Sequence, residues 1–376
     1  MKKCRVLLSI VLTLSFLGAL FTNTSVVSSQ EKSPYQVFLP LVSKITSPAY
    51  YSTTWYVTSS LFDYTNGKRN IYYKGVEAGY LTAPSGRQDQ LVILHFGRPR
   101  TDGNQVGTRA YWDTSGELTS TNDIIVYTQD FINGFMVGAL AKNDFDSKLE
   151  LGVGTSNLVW DYIDGRDDPC DEYFCTTDDA YKHGKAWAEM IAKINNWVIA
   201  QGYANRVSVA GASDIELAWN SAKVTHAWVD GFDDYDQEKY IFYNFGTCEG
   251  CDIGINLSVP PDPNKDLTDD WTHAKVHYSA WGAAPVWPIP EIYLNNGWNA
   301  NQWANISKVG VTLGYYPIYF FSALTQYQAC LSVDDPYCET TDNTPVEGWS
   351  QLMKAINTRP ETSQQYIPFM TDIDWP

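Results

Sequence analysis

Residues Val207 to Trp219 read VSVAGASDIELAW. The first half alternates and ends in small residues, the pattern of a buried strand. As the apolar run stops, Asp214 and Glu216 stand two positions apart. In an extended chain residues i and i+2 face the same side, so two carboxylates leave one strand end together. Close together and both ionised, they repel, and the repulsion raises the pKa of one. A carboxyl group held protonated near neutral pH can donate a proton, which makes the pair a candidate for general acid catalysis. A D-x-E also has a plainer use, with Asp214 capping the following helix and Glu216 pairing with a base.

Other reactive types are sparser. His95, His183, His226, His273 and His277 show no H-E-x-x-H spacing, which argues against a zinc hydrolase. His95 and His277 fall inside apolar runs and read as core histidines. No G-x-S-x-G elbow is present; Ser213 merely ends the same strand. Arg98 and Arg100 could clamp an anion or offset an acidic rim. The aspartates 233, 234 and 236 and those from Asp262 to Asp270 are oxygen-rich but lack a D-x-D-x-D-G loop, so a solvated acidic face is the simpler reading than calcium binding. No metal and no cofactor is expected.

The chain opens with Lys2, Lys3 and Arg5, then an apolar run to Leu20 and small polar residues to Gln30. This reads as a secretory signal peptide over residues 1–29. No later segment reads as a membrane span. Loss of the three leader cations takes the formal charge from −17 to −20, which argues against nucleic acid or anionic lipid as a partner. An exported, soluble monomer is expected. Six cysteines remain in close pairs: Cys170 with Cys175, Cys248 with Cys251, and Cys330 with Cys338. In an oxidising compartment these read as local disulfides. Cys248-Glu-Gly-Cys251 is also a C-x-x-C, but no second metal motif stands near it.

The elements that must position these residues come in a regular series. Residues 30–88 read as an irregular extension with a few strands. From 89 to 376 eight strand candidates follow, mostly separated by helices: Gln90–Gly97, Leu149–Gly154, the run ending at Asp214, Tyr240–Asn244, Lys275–Trp281, Ile289–Leu294, Pro317–Ser322 and Tyr366–Thr371. Helical periods cover Asn122–Lys142, Lys185–Gly202, Ser221–Phe232, Ala300–Val309 and Trp349–Asn357. Eight strands alternating with helices predict an α/β fold, a (β/α)8 barrel of the TIM type, with function at the carboxyl ends of the strands. An open doubly wound sheet is the alternative, without the Gly-rich phosphate loop it would want. The fifth and sixth strands are too close together for a full crossover helix. On the barrel reading each cysteine pair braces a loop on the catalytic face. Tyr243 and Asn244, Trp281, Tyr293 and Trp219 join the acids as candidate substrate contacts. Acids and aromatics on one rim suit a sugar cleft.

An exported barrel with Asp214-Ile-Glu216 at a strand end resembles the glycoside hydrolase superfamily, and within it the family 25 lysozymes, more loosely the family 18 chitinases. It is also similar to a group of secreted bacterial proteins with this barrel-like region. The resemblance implies Glu216 as proton donor, Asp214 as its charge partner acting on the substrate's N-acetyl group, and Asp372 as the further aspartate from the last strand. The lysozyme aspartate at the end of the first strand has no counterpart in Gly97-Arg98-Pro99, and the full chitinase motif is absent, with Ala212 and Val209 at its acidic positions. Two readings follow: a glycosidase acting on a polysaccharide or cell-wall glycan, and a carbohydrate-binding or surface protein on a barrel scaffold. A second carboxylate within reach of Glu216 across the barrel mouth discriminates between them.

Overall fold

The computed structural model describes residues 49–81, 87–111, 117–158, 176–236, 239–254, 259–333 and 335–375. The expected leader lies outside the described residues. So do Cys170 and Cys175, and with them the expected disulfide between Cys170 and Cys175.

Eight strands form one parallel sheet: β1 (Tyr50–Tyr56), β2 (Gln90–His95), β3 (Leu149–Ser156), β4 (Val207–Asp214), β5 (Phe242–Asn244), β6 (Val286–Pro288), β7 (Ser322–Thr325) and β8 (Phe369–Asp374). Their order is β6-β5-β4-β3-β2-β1-β8-β7, each next to its neighbour in sequence. A single parallel bridge, Glu291 to Leu324, joins the two ends, so the ring is nearly closed. Helices α1 (Asn70–Leu81), α2 (Thr121–Ala141), α3 (Thr177–Ala200), α4 (Ala222–Asp236), α5 (His273–His277) and α6 (Trp298–Thr312) follow the first six strands. Three more, α7 (Tyr327–Ser332), α8 (Cys338–Thr341) and α9 (Pro345–Ile356), lie between β7 and β8. This is the architecture of a TIM-like barrel.

Two expected strands are displaced along the chain: β6 is Val286–Pro288, not Ile289–Leu294, and β7 is Ser322–Thr325, where Pro317–Ser322 was expected. Two further expectations are corrected. Tyr50–Tyr56, placed by sequence in an irregular extension over 30–88, is β1 and pairs with both β8 and β2. Its Tyr, Ser and Thr content hid it, but β-branched and aromatic residues suit a pleated surface. Its inner residues are polar and still satisfied: Thr54 Oγ1 lies 3.0 Å from Thr371 Oγ1, and the Ser52 hydroxyl donates to the Leu91 carbonyl. The barrel unit therefore begins before residue 89, and the described residues form one compact unit. Second, Lys275–Trp281 is not a strand but the crossover itself. Thr272 caps α5 by accepting from the Lys275 amide, and a π-helical turn continues it over Tyr278–Gly282. The buried residues His273, Val276, His277 and Ala280 recur at helical spacing.

Strand parity divides the core. Leu91, Ile93, Ala210, Ala212, Tyr243, Phe245, Phe369 and Ile373 fill the barrel interior. Val92, Leu94, Val209, Phe242 and their like face the helices, where they meet Phe131, Phe135, Trp187 and Trp228. The outer helices pack very closely in pairs. A Cβ on Gly75 or Gly79 of α1 would fall 2.0 or 2.1 Å from a carbonyl oxygen of α2, and one on Gly134 or Gly138 of α2 would fall 2.0 or 2.2 Å from one of α1. Only glycine permits this approach. By length and composition α2 is apolar enough to cross a membrane. Its inner face, with Ile124, Phe131, Ile132 and Phe135, is buried in the barrel unit.

Candidate active site

The carboxyl ends of the strands open into one cavity of about 910 Å³. Parity puts Asp214 there. It continues the inward face of Ala210 and Ala212, is 2% exposed, and takes the Tyr56 hydroxyl on Oδ2 at 3.3 Å. Its Oδ1 is buried without a hydrogen bond. Glu216 lies just beyond the strand, where Asn157 fixes its backbone. The Glu216 amide donates to Asn157 Oδ1 (3.0 Å), and Asn157 Nδ2 donates to the Glu216 carbonyl (2.9 Å). The side chain accepts the Thr247 amide on Oε1 (2.9 Å) and the Thr247 hydroxyl on Oε2 (2.5 Å). Thr247 reaches it because Gly246 passes close to β4; a Cβ there would fall 2.1 Å from the Ile215 carbonyl oxygen.

The third acid is Glu291, just after β6 and 5% exposed. One carboxylate oxygen from each of Asp214, Glu216 and Glu291 lies within 4.8 Å of the others. Glu291 also shares a hydrogen bond with Tyr293. Burial and crowding act together on these groups. Burial raises Asp214 to about 7, with the Tyr56 hydroxyl working against it. Burial first, and the Asp214 charge second, push Glu216 up to about 8. Burial, then the charges of Glu216 and Asp214, hold Glu291 well above the usual carboxylate range. All three are raised together, so the cluster keeps protons near neutral pH.

His95 ends β2 directly beneath this cluster. Its Nδ1 accepts the Gly97 amide at 3.0 Å, so the ring proton sits on Nε2, which points toward Asp214 Oδ2 at 3.6 Å. That distance is long for a hydrogen bond. Burial lowers the ring to about 3, so it is neutral and makes no ion pair. Tyr56 stacks on it at 4.5 Å, and Tyr111 and Phe245 meet it edge-on at 5.0 and 5.2 Å. His95 is therefore a buried neutral ring that abuts the site. The three acids offer an all-oxygen donor set suited to a hard divalent cation. Protonated on Nε2, His95 would add no lone pair to it.

Of the residues expected in the site, Asp214, Glu216, Trp219 and Tyr293 line the cavity. Four others do not. Asp372 has the parity opposite to the inward Phe369 and Ile373 and faces the helix side. Its Oδ1 accepts from Thr325 Oγ1 (2.6 Å) and the Tyr327 amide (2.8 Å), and its Oδ2 from the Gln328 amide (2.9 Å). It anchors the start of α7. Tyr243 is buried inside the barrel, stacked on Phe321 at 5.7 Å. Asn244, its neighbour, points outward and donates to the Ser279 carbonyl at 2.9 Å. Trp281 sits in the π-turn and packs edge-on against Trp287 at 5.9 Å.

Sequence reasoning missed Glu291, Tyr56, Thr247, Gln326, Trp298, Tyr337 and Trp375, all lining the cavity. Glu291 had a readable signal: an acid inside an apolar run, two residues before Tyr293, as Asp214 stands two before Glu216. Of the three expected disulfides, two fall on described residues, and both are formed: Cys248 with Cys251 and Cys330 with Cys338. They brace the loops after β5 and β7, and the pair fits an oxidising compartment. The third, Cys170 with Cys175, was expected on the loop after β3, outside the described residues. No protein-family model matches the chain, and no curated protein matches it.

Proposed function

We propose that the protein is an exported glycoside hydrolase that cleaves a polysaccharide or cell-wall glycan with carboxyl groups alone. The observation that carries this reading is Glu291. It supplies a second carboxylate within 4.8 Å of Glu216 in the mouth where Asp214 already stands. Crowding three acids, two of them buried, works against folding, and proton transfer gives that cost a use.

The chemistry follows from the protons that the crowded cluster keeps. Glu216, protonated, donates to the glycosidic oxygen as the bond breaks. Asp214, as carboxylate, faces the positive charge that develops on the sugar ring. Carboxyl groups about 5 Å apart set a retaining course: the Glu291 carboxylate attacks the anomeric carbon as the leaving oxygen takes the Glu216 proton, forming a glycosyl ester, and the Glu216 carboxylate then draws a proton from the water that hydrolyses that ester. Trp219, Trp298, Tyr337 and Trp375 offer flat faces for sugar rings along the rim. The experiment is hydrolysis of peptidoglycan, chitin and soluble glucans by the wild type and by Glu291→Gln. Cleavage by the wild type and its loss in a folded variant support the proposal. A wild type that binds these glycans and cleaves none favours the carbohydrate-binding reading.

A further inference from the structure

One residue grips the Glu216 carboxyl on both oxygens. The Thr247 amide donates to Oε1 at 2.9 Å, and the Thr247 hydroxyl donates to Oε2 at 2.5 Å. The hydroxyl oxygen itself accepts the Glu249 amide at 3.3 Å, so its own proton is turned to the carboxyl. The loop that carries Thr247 is fixed on both sides. Before it, the Gly246 amide donates to Asn244 Oδ1 at 3.1 Å. After it, Cys248 is bonded to Cys251, whose carbonyl accepts Gln302 Nε2 at 3.0 Å, and the Asp252 amide donates to His273 Nε2 at 3.3 Å. Asn157 clamps the Glu216 backbone from the other side. The acid is thereby fixed at both its backbone and its carboxyl. Hydrogen bonds donated to a carboxyl group favour its charged form, and both Thr247 contacts work against the rise that burial imposes. Two donors are of more use to the carboxylate than to the resting acid.

We propose that Thr247 is the positioning residue of the proton donor: its amide and hydroxyl hold the Glu216 carboxyl in the orientation for transfer and stabilise the negative charge that transfer leaves there. As the glycosidic C–O bond breaks, its electron pair goes to the leaving oxygen, which takes the Glu216 proton. The Glu291 carboxylate supplies the pair for the new bond to the anomeric carbon. Negative charge therefore passes from Glu291 to Glu216. Donors already aimed at the place where charge develops stabilise it without reorganising. The same grip keeps the carboxylate in place for the second step, in which it takes a proton from water. Thr247 acts through Glu216 and makes no bond to the sugar. It lines the cavity, yet its hydroxyl is directed to the acid. This inference rests on the glycosidase reading and adds to it the residue that makes Glu216 an efficient donor.

The test compares the wild type, Thr247→Ala and Thr247→Ser, each also in the Glu216→Gln background. Two substrates are used: an oligosaccharide of whichever polymer the wild type cleaves among peptidoglycan, chitin and soluble glucans, and the same sugar on a dinitrophenyl leaving group. Near-ultraviolet circular dichroism establishes that each variant is folded, and Thr247→Val replaces Thr247→Ala if the latter is not. Loss of the hydroxyl should lower kcat on the oligosaccharide about 10- to 10²-fold, the worth of a hydrogen bond to a charged group, with KM within about twofold. On the aryl glycoside, whose leaving group needs no proton, kcat/KM should fall less than about threefold. Thr247→Ser offers the same donor and should recover the oligosaccharide rate to within about threefold. In the Glu216→Gln background loss of the hydroxyl should cost less than about threefold, because the group it serves is gone. Equal losses on both substrates, failure of Thr247→Ser to recover the rate, or the full loss repeated in the Glu216→Gln background assigns Thr247 a general structural role and overturns the inference. So does a Thr247→Ala enzyme as active as the wild type. In each of these cases cleavage by the wild type, with its loss in Glu216→Gln, leaves the glycosidase reading standing. A wild type that cleaves none of the polymers overturns both.

Discussion

Replacing Glu216 by Gln should change how stability depends on pH. Gln keeps the shape and both Thr247 contacts: its carbonyl accepts the amide, and its NH2 donates to a Thr247 hydroxyl that has turned. What it loses is a titration. The Glu216 carboxyl moves from an ordinary 4.5 to about 8 in the folded protein. A raised native value means that its contribution is fully present below the unfolded value and is lost as pH rises through the native one. Between pH 4.5 and 7 the unfolded chain releases a proton that the native state keeps. At about 1.4 kcal/mol per unit this destabilises the native wild type by roughly 3 kcal/mol. Water at the partly exposed carboxyl screens this to about 2 kcal/mol. Gln has no such slope of its own, while Asp214 and Glu291, also raised by burial, keep theirs in both proteins. His95, His183 and His277, lowered to about 3, 4 and 4 by burial, act in the opposite sense. Their stabilisation is lost as pH falls through those values, and it is common to both proteins. The assay is the thermal midpoint of both proteins from pH 4.5 to 8 at constant ionic strength. The variant should gain about 3 °C on the wild type between pH 4.5 and 7, at roughly 1.5 °C per kcal/mol for a unit of this length. Curves that stay parallel would refute the buried, proton-holding Glu216.

Glu291→Gln should lower glycan hydrolysis by about 10²- to 10⁴-fold with a normal melting curve, read by reducing-end release. Asp372→Asn should leave hydrolysis within about twofold, because Asp372 is outside the cavity. It should cost about 1–3 kcal/mol in chemical denaturation, because an amide NH2 then faces the α7 amides it now satisfies. Gly134→Ala drives a methyl to within 2.0 Å of the Tyr72 carbonyl oxygen, so α1 and α2 must separate, at about 3 kcal/mol in the same assay. At its acidic charge the protein should pass unretained over heparin at physiological salt.

Much of the architecture was readable because strand parity and helical period are local. Gln90–His95, Leu149–Ser156 and Val207–Asp214 are apolar runs buried on both faces, as parallel strands must be. Tyr50–Tyr56 was hidden because its inner face is Ser and Thr, paired with other strands that only the closed ring brings near. Lys275–Trp281 was misread as a strand because a short run fits either period, and the cap at Thr272 was the deciding residue. At the site, i, i+2 spacing correctly joined Asp214 to Glu216. The same rule separates Tyr243 from Asn244, and Asp372 from Ile373, since neighbours in a strand face opposite ways. Glu291, Tyr56 and Thr247 reach the mouth from three other strands or their loops. No spacing in the chain announces that meeting.

The central claim is that Glu216 donates the proton to the leaving group. It is tested most directly by comparing kcat/KM of the wild type and Glu216→Gln on two substrates, a natural oligosaccharide and the same sugar on a dinitrophenyl leaving group. A dinitrophenolate leaves without protonation. The variant should therefore lose about 10²- to 10⁴-fold on the oligosaccharide and less than about tenfold on the aryl glycoside. Equal losses on both, or no loss on either, would contradict the assignment.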